Sequence, residues 1–249
     1  MAYSNRMPVW GMLARVARKV LVTAALIGGA GAACAGYASF DEAALEDIYS
    51  QTSFGQFDID IRFNDLLSTV APTLLDINSD AEFSGGAGSL SALADSLGVP
   101  HFTVPVFFVD KISFCGGPGS NIIGCGSNPG GLIALDSDAA AGTNGAVLLA
   151  HELGHNLGLS HLVVNGNLMH PSITGSTTLT AAQIGTFLNL TTGASLSPLL
   201  RNDAGQLFIS ITPIAVLAAV PEPETWAMMT LGLLIVAGWA RRRRRACPA

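Results

Sequence analysis

The stretch HELGHNLGLSH, residues 151–161, decides how the rest of the chain is interpreted. His151 and His155 are four positions apart, so on an α-helix their imidazoles lie on one face and can bind the same metal ion. If that helix continued, His161 would lie about 15 Å along its axis from His151, too far away to share the ion. The pattern therefore predicts that the chain leaves the helix and folds back, with Gly158 as the left-handed residue that ends it.

The residue types in this stretch are those of a catalytic zinc site. Glu152 follows the first imidazole, and from there it can reach a metal-bound water without being a ligand itself. Three neutral imidazoles with one open position are typical of catalytic zinc, whereas structural sites are closed by four protein ligands. The alternative is that these are ordinary helix histidines. The chain has five histidines, and the presence of three of them here, at fixed offsets from a glycine, favours the metal site.

The extended motif resembles that of the metzincin metallopeptidases, which it matches at every fixed position. That family carries a methionine turn beneath the zinc, and NLMHP at 167–171 is similar to it, with Met169 eight residues after His161. The short spacing and the Met-x-Pro ending resemble the matrixin branch most. Some metzincin branches place a zinc-binding tyrosine two residues after the methionine. Pro171 occupies that position here, so the resemblance implies no such ligand.

The resemblance implies an α/β (α+β) fold: a metzincin-like twisted mixed sheet, a zinc-bearing active-site helix and a small C-terminal subdomain with the methionine turn. It also implies hydrolysis of peptide bonds in a protein or peptide substrate. Zinc on the three histidines would lower the pKa of its bound water toward about 7. Glu152 would take the proton as general base and return it to the leaving amine. A catalytically inactive zinc-binding adhesion or matrix module is the alternative, which the intact Glu152 disfavours.

The N-terminal part of the chain is predicted to direct export. Residues 1–35 begin with basic residues and no acidic ones, continue into a small apolar run and end near two small-residue cleavage sites. This pattern is typical of a secretory signal peptide. Residues 36–220 then remain as one domain, long enough to bury a hydrophobic core.

Residues 221–249 combine Pro-Glu-Pro at 221–223, an apolar run at 226–240 and arginines at 241–245. The run is shorter than the ~20 residues of a stable membrane span, and the arginines favour the cytoplasmic side. In this order the three parts resemble the PEP-CTERM sorting tail of Gram-negative bacteria, which implies processing by an exosortase-type membrane enzyme. The chain would then be exported to the cell envelope, the outer surface or the extracellular matrix, with a membrane contact through the tail before processing. A plain C-terminal anchor is the alternative.

The charge of the predicted domain limits its partners. It has three basic residues against sixteen acidic ones, a formal charge of −13. Nucleic acid and anionic membrane surfaces need basic patches, so neither is expected to bind. Some carboxylates are candidates for calcium in addition to the zinc. Asp136 and Asp138, at the end of a predicted strand and just after it, can bind calcium, cap a helix or remain solvated in a turn, and the solvated turn is the simplest of these.

Cys115 and Cys125 are the two cysteines of the predicted domain, and they flank a loop rich in glycine and serine. In an oxidising compartment they most simply form a disulfide, which contributes about 2–3 kcal/mol. Binding of zinc by the two thiolates is a poorer alternative, because no partner cysteine or second histidine pair accompanies them.

Alternation and β-branched residues predict strands at 57–63, 101–112 and 131–136. Pro105 in the second of them indicates an edge strand or a bulge. Asp65 is placed to cap a short helix that Pro72 would end. The apolar stretch within 201–220 fits either a late strand or a linker.

The zinc helix is predicted over 145–157, with Thr143 or Asn144 as its N-cap. By the resemblance, the strand at 131–136 is the edge strand or lies beside it. Thr180 and Gln183 predict a capping box for a helix within 178–188 that packs under the site. Of the two remaining histidines, His101 is expected to be structural, and His170 lies either close to the zinc ligands or in an exposed turn.

Overall fold

The computed structural model describes residues 40–219 and 231–236 of the chain. The predicted signal peptide at 1–35 and the arginines at 241–245 lie outside the described residues. Of the apolar run at 226–240, residues 231–236 are described, and they are helical and exposed. Within the described ranges, no helix has both the length and the apolar character that crossing a membrane requires.

The described residues form short helices and strands, which occur in runs along the chain. The helices are α1 (Glu42–Tyr49), α2 (Asp80–Ser84), α3 (Leu90–Ser96), α4 (Ser137–Ala140), α5 (Gly145–Asn156) and α6 (Ala181–Ile184). The strands are β1 (Ile59–Phe63), β2 (Leu67–Val70), β3 (Asp76–Ile77), β4 (Thr103–Val109), β5 (Lys111–Phe114), β6 (Pro118–Ile122), β7 (Gly124–Gly126), β8 (Ile133–Asp136), β9 (Arg201–Asp203) and β10 (Gln206–Leu217). The predicted zinc helix is α5, and the three predicted strands are β1, β4 and β8.

The larger sheet is mixed and has the strand order β1-β10-β4-β8-β7, with β2 and β9 also paired to β10. β1, β2 and β4 run parallel to β10, and β8 runs parallel to β4. β7 is antiparallel to β8 and contacts α5. A smaller sheet has the order β3-β5-β6. The predicted α/β class with a mixed sheet is confirmed, and β8 is the strand beside the edge strand β7.

The stretch that fitted either a strand or a linker is the central strand β10. It pairs with β4 on one side and with β1 and then β2 on the other. Pairing with β1 ends at Ile211 and pairing with β2 begins at Ile214. Pro213 therefore lies in the gap between β1 and β2. Because proline has no backbone N–H to donate, this is a position where the sheet loses little hydrogen bonding.

Two local predictions are wrong for the same reason. Pro105 does not mark an edge strand, because β4 lies between β10 and β8 in the sheet. The pairing of β4 with β8 begins one residue after Pro105, at Val106. The helix expected between Asp65 and Pro72 is instead β2, which pairs with the end of β10. In both places a distant strand decides the conformation, which local propensity cannot show.

The two faces of the sheet pack into different hydrophobic clusters, as expected for side chains that alternate along strands. In β4, Val106 and Phe108 pack with residues of α1, α5 and α6, whereas Phe107 packs with residues of α2 and α3. On the first face, the hydroxyl of Tyr49 in α1 donates to the carbonyl of Ala150 in α5 at 2.9 Å. α5 is thus held between the sheet and α1.

Candidate metal centre

α5 ends in a Schellman motif just before the third histidine of the motif. The N–H of Gly158 donates to the carbonyl of His155 at 2.8 Å, and the N–H of Leu159 donates to the carbonyl of Gly154 at 2.9 Å. These two bonds define this type of helix end. Gly158 has a φ of 91°, in the left-handed region that a Cβ disfavours. The predicted reversal of the chain at Gly158 is confirmed.

The reversal brings the three imidazoles of the motif together. The Nε2 atoms of His151 and His161 are 3.3 Å apart, and those of His155 and His161 are 3.1 Å apart. Ligands in a tetrahedron at ~2.0–2.1 Å from zinc lie about 3.3–3.4 Å from one another. Among the described residues, this is the group of histidine, cysteine or acidic side chains that is able to hold a metal ion. The spacing fits tetrahedral zinc with one position open.

Backbone carbonyls determine which ring nitrogen of two imidazoles faces the centre. Nδ1 of His151 lies 2.7 Å from the carbonyl oxygen of Leu168, and Nδ1 of His155 lies 2.7 Å from that of Leu159. Because a carbonyl only accepts, each Nδ1 donates its proton and leaves a lone pair on Nε2. Histidines that bind metals are commonly oriented in this way. The Leu159 carbonyl belongs to the Schellman turn, so the turn that returns His161 also orients His155.

Burial keeps the imidazoles neutral. It lowers the pKa of His151 to about 4 and also lowers the pKa of His155 and of His161, because a charged ring would lose hydration. His161 is the most exposed of the three. Since a metal ligand must be deprotonated, the three rings are in the metal-binding form at neutral pH.

Met169 packs against α5 between the two helix histidines. It is fully buried, and a Cβ added at Gly154 would lie 2.5 Å from its sulfur. The N–H of Met169 donates to Oδ1 of Asn167 at 2.9 Å, and its carbonyl accepts from the N–H of Leu162 at 2.8 Å. The helix and the turn around Met169 therefore approach as closely as a glycine allows.

Glu152 lies beside the imidazoles in a buried position, 5% exposed. Burial raises the pKa of Glu152 to about 8, and a hydrogen bond from the backbone N–H of Gly126 opposes this shift in part. A cation bound by the three imidazoles would also oppose the rise and lower the pKa of Glu152 from this value. A buried carboxyl group whose pKa is raised is suited to accepting and returning a proton.

A cleft of about 970 Å³ gives access to the centre. It is lined by α2, the segment 121–128, the segment 171–173, Glu152 and the three imidazoles. Cys115 and Cys125 form a disulfide, which confirms the predicted pairing. This disulfide lies in the wall of the cleft. Within the described part of the chain, the lining contains carboxylates but no lysine or arginine.

Sequence reasoning did not single out Gly124, Gly126 or Asn156, which all contact Glu152. Nδ2 of Asn156 donates to the carbonyls of Ser127 at 3.2 Å and Leu132 at 3.1 Å, which ties the end of α5 to the β7–β8 connection. A cysteine between two glycines and an asparagine next to the second histidine of the motif were visible signals. No local pattern shows that these residues meet, because the hairpin and the helix end are brought together by the fold.

The other residues considered in the sequence have ordinary roles. The carboxylate of Asp136 accepts from a first-turn backbone N–H at 2.9 Å and caps α4, and Asp138 lies in the first turn of that helix. Calcium binding stays a prediction. His170, in the turn after Met169, is half-buried and near enough to His151 and His161 to lower their pKa, so it lies close to these imidazoles and not in an exposed turn. Its Nδ1 accepts from the N–H of Ser172 at 3.1 Å. His101 lines a separate cavity of about 680 Å³ beside α3.

The fold and the centre define a class: an α/β protein with a helix-borne three-histidine site, which fits the metzincin-type zinc metalloproteases. The chain belongs to the matrixin family, because the Matrixin family model matches residues 48–184, 137 of its 249 residues. Membership implies zinc as the metal. The matched region ends with α6 and does not include β9 or β10.

A second family model, the PEP-CTERM protein-sorting motif, matches residues 219–245. It overlaps the tail predicted at 221–249 and indicates export and surface sorting in a Gram-negative bacterium. No curated protein and no solved structure matches the chain. The family assignment therefore rests on the Matrixin family model, and the geometry of the centre agrees with it.

Proposed function

We propose that the chain is an exported zinc endopeptidase. His151, His155 and His161 hold the zinc, and Glu152 is the general base for hydrolysis of a peptide bond. The observation that carries the proposal is the approach of the three Nε2 atoms, at 3.1 and 3.3 Å from His161, beside a buried carboxylate.

Each residue of the centre has a defined part in the proposed reaction. Bound zinc would supply a Lewis acid and an acidified water. Glu152 accepts the proton of the attacking water and returns it to the leaving amine, for which its raised pKa is suitable. The carbonyls of Leu168 and Leu159 hold two imidazole rings in their ligating orientation throughout.

We assign Met169 to the methionine turn of the family and the segment after Gly158, through α6, to a small C-terminal subdomain. The capping box of Thr180 and Gln183 is present at the start of α6. The side chain of Gln183 also bonds that of Asn167, at 2.8 and 3.1 Å. α6 is thereby joined to the turn that carries Met169, which supports the role of this helix under the site.

Protein or peptide segments in extended form are the proposed substrates. β7 pairs with β8 on one side, and no described strand pairs with its other side. An extended peptide can add to such an edge through backbone hydrogen bonds. The residues of β7 also line the cleft that leads to the three imidazoles, so a peptide on this edge would pass the proposed zinc.

The proposed chain organisation is a signal peptide at 1–35, a catalytic domain at 36–220 and a sorting tail at 221–249. An exosortase-type membrane enzyme would recognise the tail, as the sorting-motif match suggests. The peptidase would then act in the cell envelope, at the outer surface or in the extracellular matrix. Membrane contact would be limited to the tail before processing.

The substitution Glu152→Gln tests the assignment of the general base. It keeps the shape of the side chain and removes the proton acceptor, so we expect bound zinc to be retained and kcat/KM to fall by about 10²–10⁴-fold. Zinc is measured by mass spectrometry of the purified protein, and cleavage is measured on unfolded casein. Glu42→Gln, at an exposed position in the first turn of α1, is the matched control and should cleave like the wild type.

Two results would contradict the proposal. A fully active Glu152→Gln variant would remove Glu152 from the chemistry. A wild-type protein that binds one zinc but shows no chelator-sensitive cleavage would instead favour the inactive zinc-binding adhesion or matrix module.

A further inference from the structure

The short edge strand β7, Gly124–Cys125–Gly126, is fixed from two directions. It pairs with β8 along its whole length, with Cys125 opposite Ala134. Successive residues of a strand face opposite sides. Cys125 is buried on the side of α2 and α3, where the disulfide joins it to Cys115. Gly124 and Gly126 face the other side, toward Glu152 in α5.

The two glycines of β7 meet different parts of α5. A Cβ at Gly124 would overlap Oε1 of Glu152 and lie 2.8 Å from its Cδ and 2.9 Å from its Cγ. All three of these atoms belong to the end of the side chain. The closest atom to a Cβ at Gly126 would instead be the backbone carbonyl oxygen of Glu152, at 2.6 Å, and Nδ2 of Asn156 and Oε2 of Glu152 would each lie at 3.1 Å.

We infer that Gly124 is a positioning residue for Glu152, because the missing side chain at this point of β7 leaves the space that the carboxylate occupies beside the imidazoles. The inference rests on the proposed role of Glu152 as the general base. The N–H of Gly126 holds the same carboxylate from the neighbouring position. β7 thus supplies one hydrogen bond and one empty volume, and both determine where the carboxylate lies.

A side chain at residue 124 has to move the carboxylate rather than the strand. β7 is fixed by β8 and by the disulfide, whereas the end of a glutamate side chain can rotate to another rotamer. Gly126 differs, since a side chain there would press on the helix backbone, which cannot rotate away. A side chain at 124 therefore affects catalysis more than stability, and a side chain at 126 affects stability.

The kinetic test compares Gly124→Ala with Gly117→Ala. No atom lies within 4 Å of a Cβ at Gly117, and its φ is not in the left-handed range, so it is a matched control near the same cleft. We expect Gly124→Ala to keep its zinc and its KM but to lose about 10²-fold in kcat, a loss that a displacement of about 1 Å in an active site can cause. Gly117→Ala should keep the wild-type kcat. Wild-type kcat in Gly124→Ala would overturn the inference.

A second test needs no activity and therefore separates this inference from the proposed function. Gly124→Val should lower the Tm by an amount on the order of 5 °C, as overpacking does. Combining it with Glu152→Ala, which removes Cγ, Cδ and both oxygens, should restore the Tm to that of Glu152→Ala alone. Gly126→Val should remain destabilising in the Glu152→Ala background.

The possible outcomes of the thermal test are distinct. Rescue of Gly124→Val but not of Gly126→Val supports the inference even if the wild-type protein cleaves no peptide, in which case only the proposed function fails. Equal loss of Tm in both backgrounds for Gly124→Val overturns the inference whatever the activity.

Discussion

Different interactions hold in place the segment 145–161, which carries the three imidazoles, and the central strand β10. The segment is shaped by its own hydrogen bonds: those of α5 and the two bonds that close the turn at Gly158. β10 has no such internal support. Its backbone is bonded to β1, β2, β4 and β9, three of which are more than 90 residues earlier in the chain.

From this difference we expect that most changes to the site and to the scaffold act separately. The positions of the three imidazoles are set by residues 151–168, whereas the stability of the sheet depends on β10, the last strand of the chain that the structure describes. β10 ends at Leu217, and the sorting motif begins at residue 219. The central strand of the sheet therefore directly precedes the tail in the sequence, and the sheet lacks its centre until that strand has paired.

The largest expected effect is that of removing β10. A chain that ends after residue 200 loses the centre of its sheet and buried residues such as Ile209 and Ile211. We expect no cooperative unfolding transition by circular dichroism. A chain that ends after residue 218 keeps β10 and should melt like the full domain. A cooperative transition at the wild-type Tm in the shorter chain would show that β10 is not part of the scaffold.

Replacing a ligand should have the opposite result. His161→Ala leaves two imidazoles, so we expect zinc affinity to fall by more than about 10²-fold, which is the upper range for loss of a supporting group alone. The Tm of the metal-free protein should hardly change, because His161 is exposed. His101→Ala, a histidine outside the cluster, should leave zinc affinity unchanged. Competition with a chelator of known affinity measures the zinc affinity of both variants.

A cavity in β10 should affect stability alone. Ile211 is fully buried, and Ile211→Ala should cost about 2–5 kcal/mol of the free energy of unfolding, measured in urea. The zinc affinity of the folded variant should equal that of the wild type. A large loss of zinc affinity in the folded variant would mean that the scaffold and the site are coupled after all.

The smallest effect is expected at the turn itself. Gly158→Ala places a Cβ in the left-handed region and should cost about 1–2 kcal/mol of stability. It should also weaken zinc binding, because the same turn carries His161 and the carbonyl that orients His155. Gly86→Ala has no atom within 4 Å of its Cβ and no left-handed φ, so it should change neither quantity.

The same contrast explains what could be predicted from the sequence. The helix, its end at Gly158 and the approach of His161 follow from residues within one segment, and each was expected. The disulfide also followed, because the predicted domain has only one possible pair. β2 and the interior position of Pro105 could not be predicted, since β10 determines both and its own place depends on distant partners. The part played by Gly124 was hidden for the same reason.

Zinc X-ray absorption spectroscopy of the purified wild-type protein tests the central claim most directly. We predict one zinc per chain with three imidazole nitrogens and one further light atom at ~2.0–2.1 Å, and loss of one imidazole in His161→Ala. A first shell that contains sulfur at about 2.3 Å, or an unchanged imidazole count in His161→Ala, would contradict the assignment of this three-histidine centre.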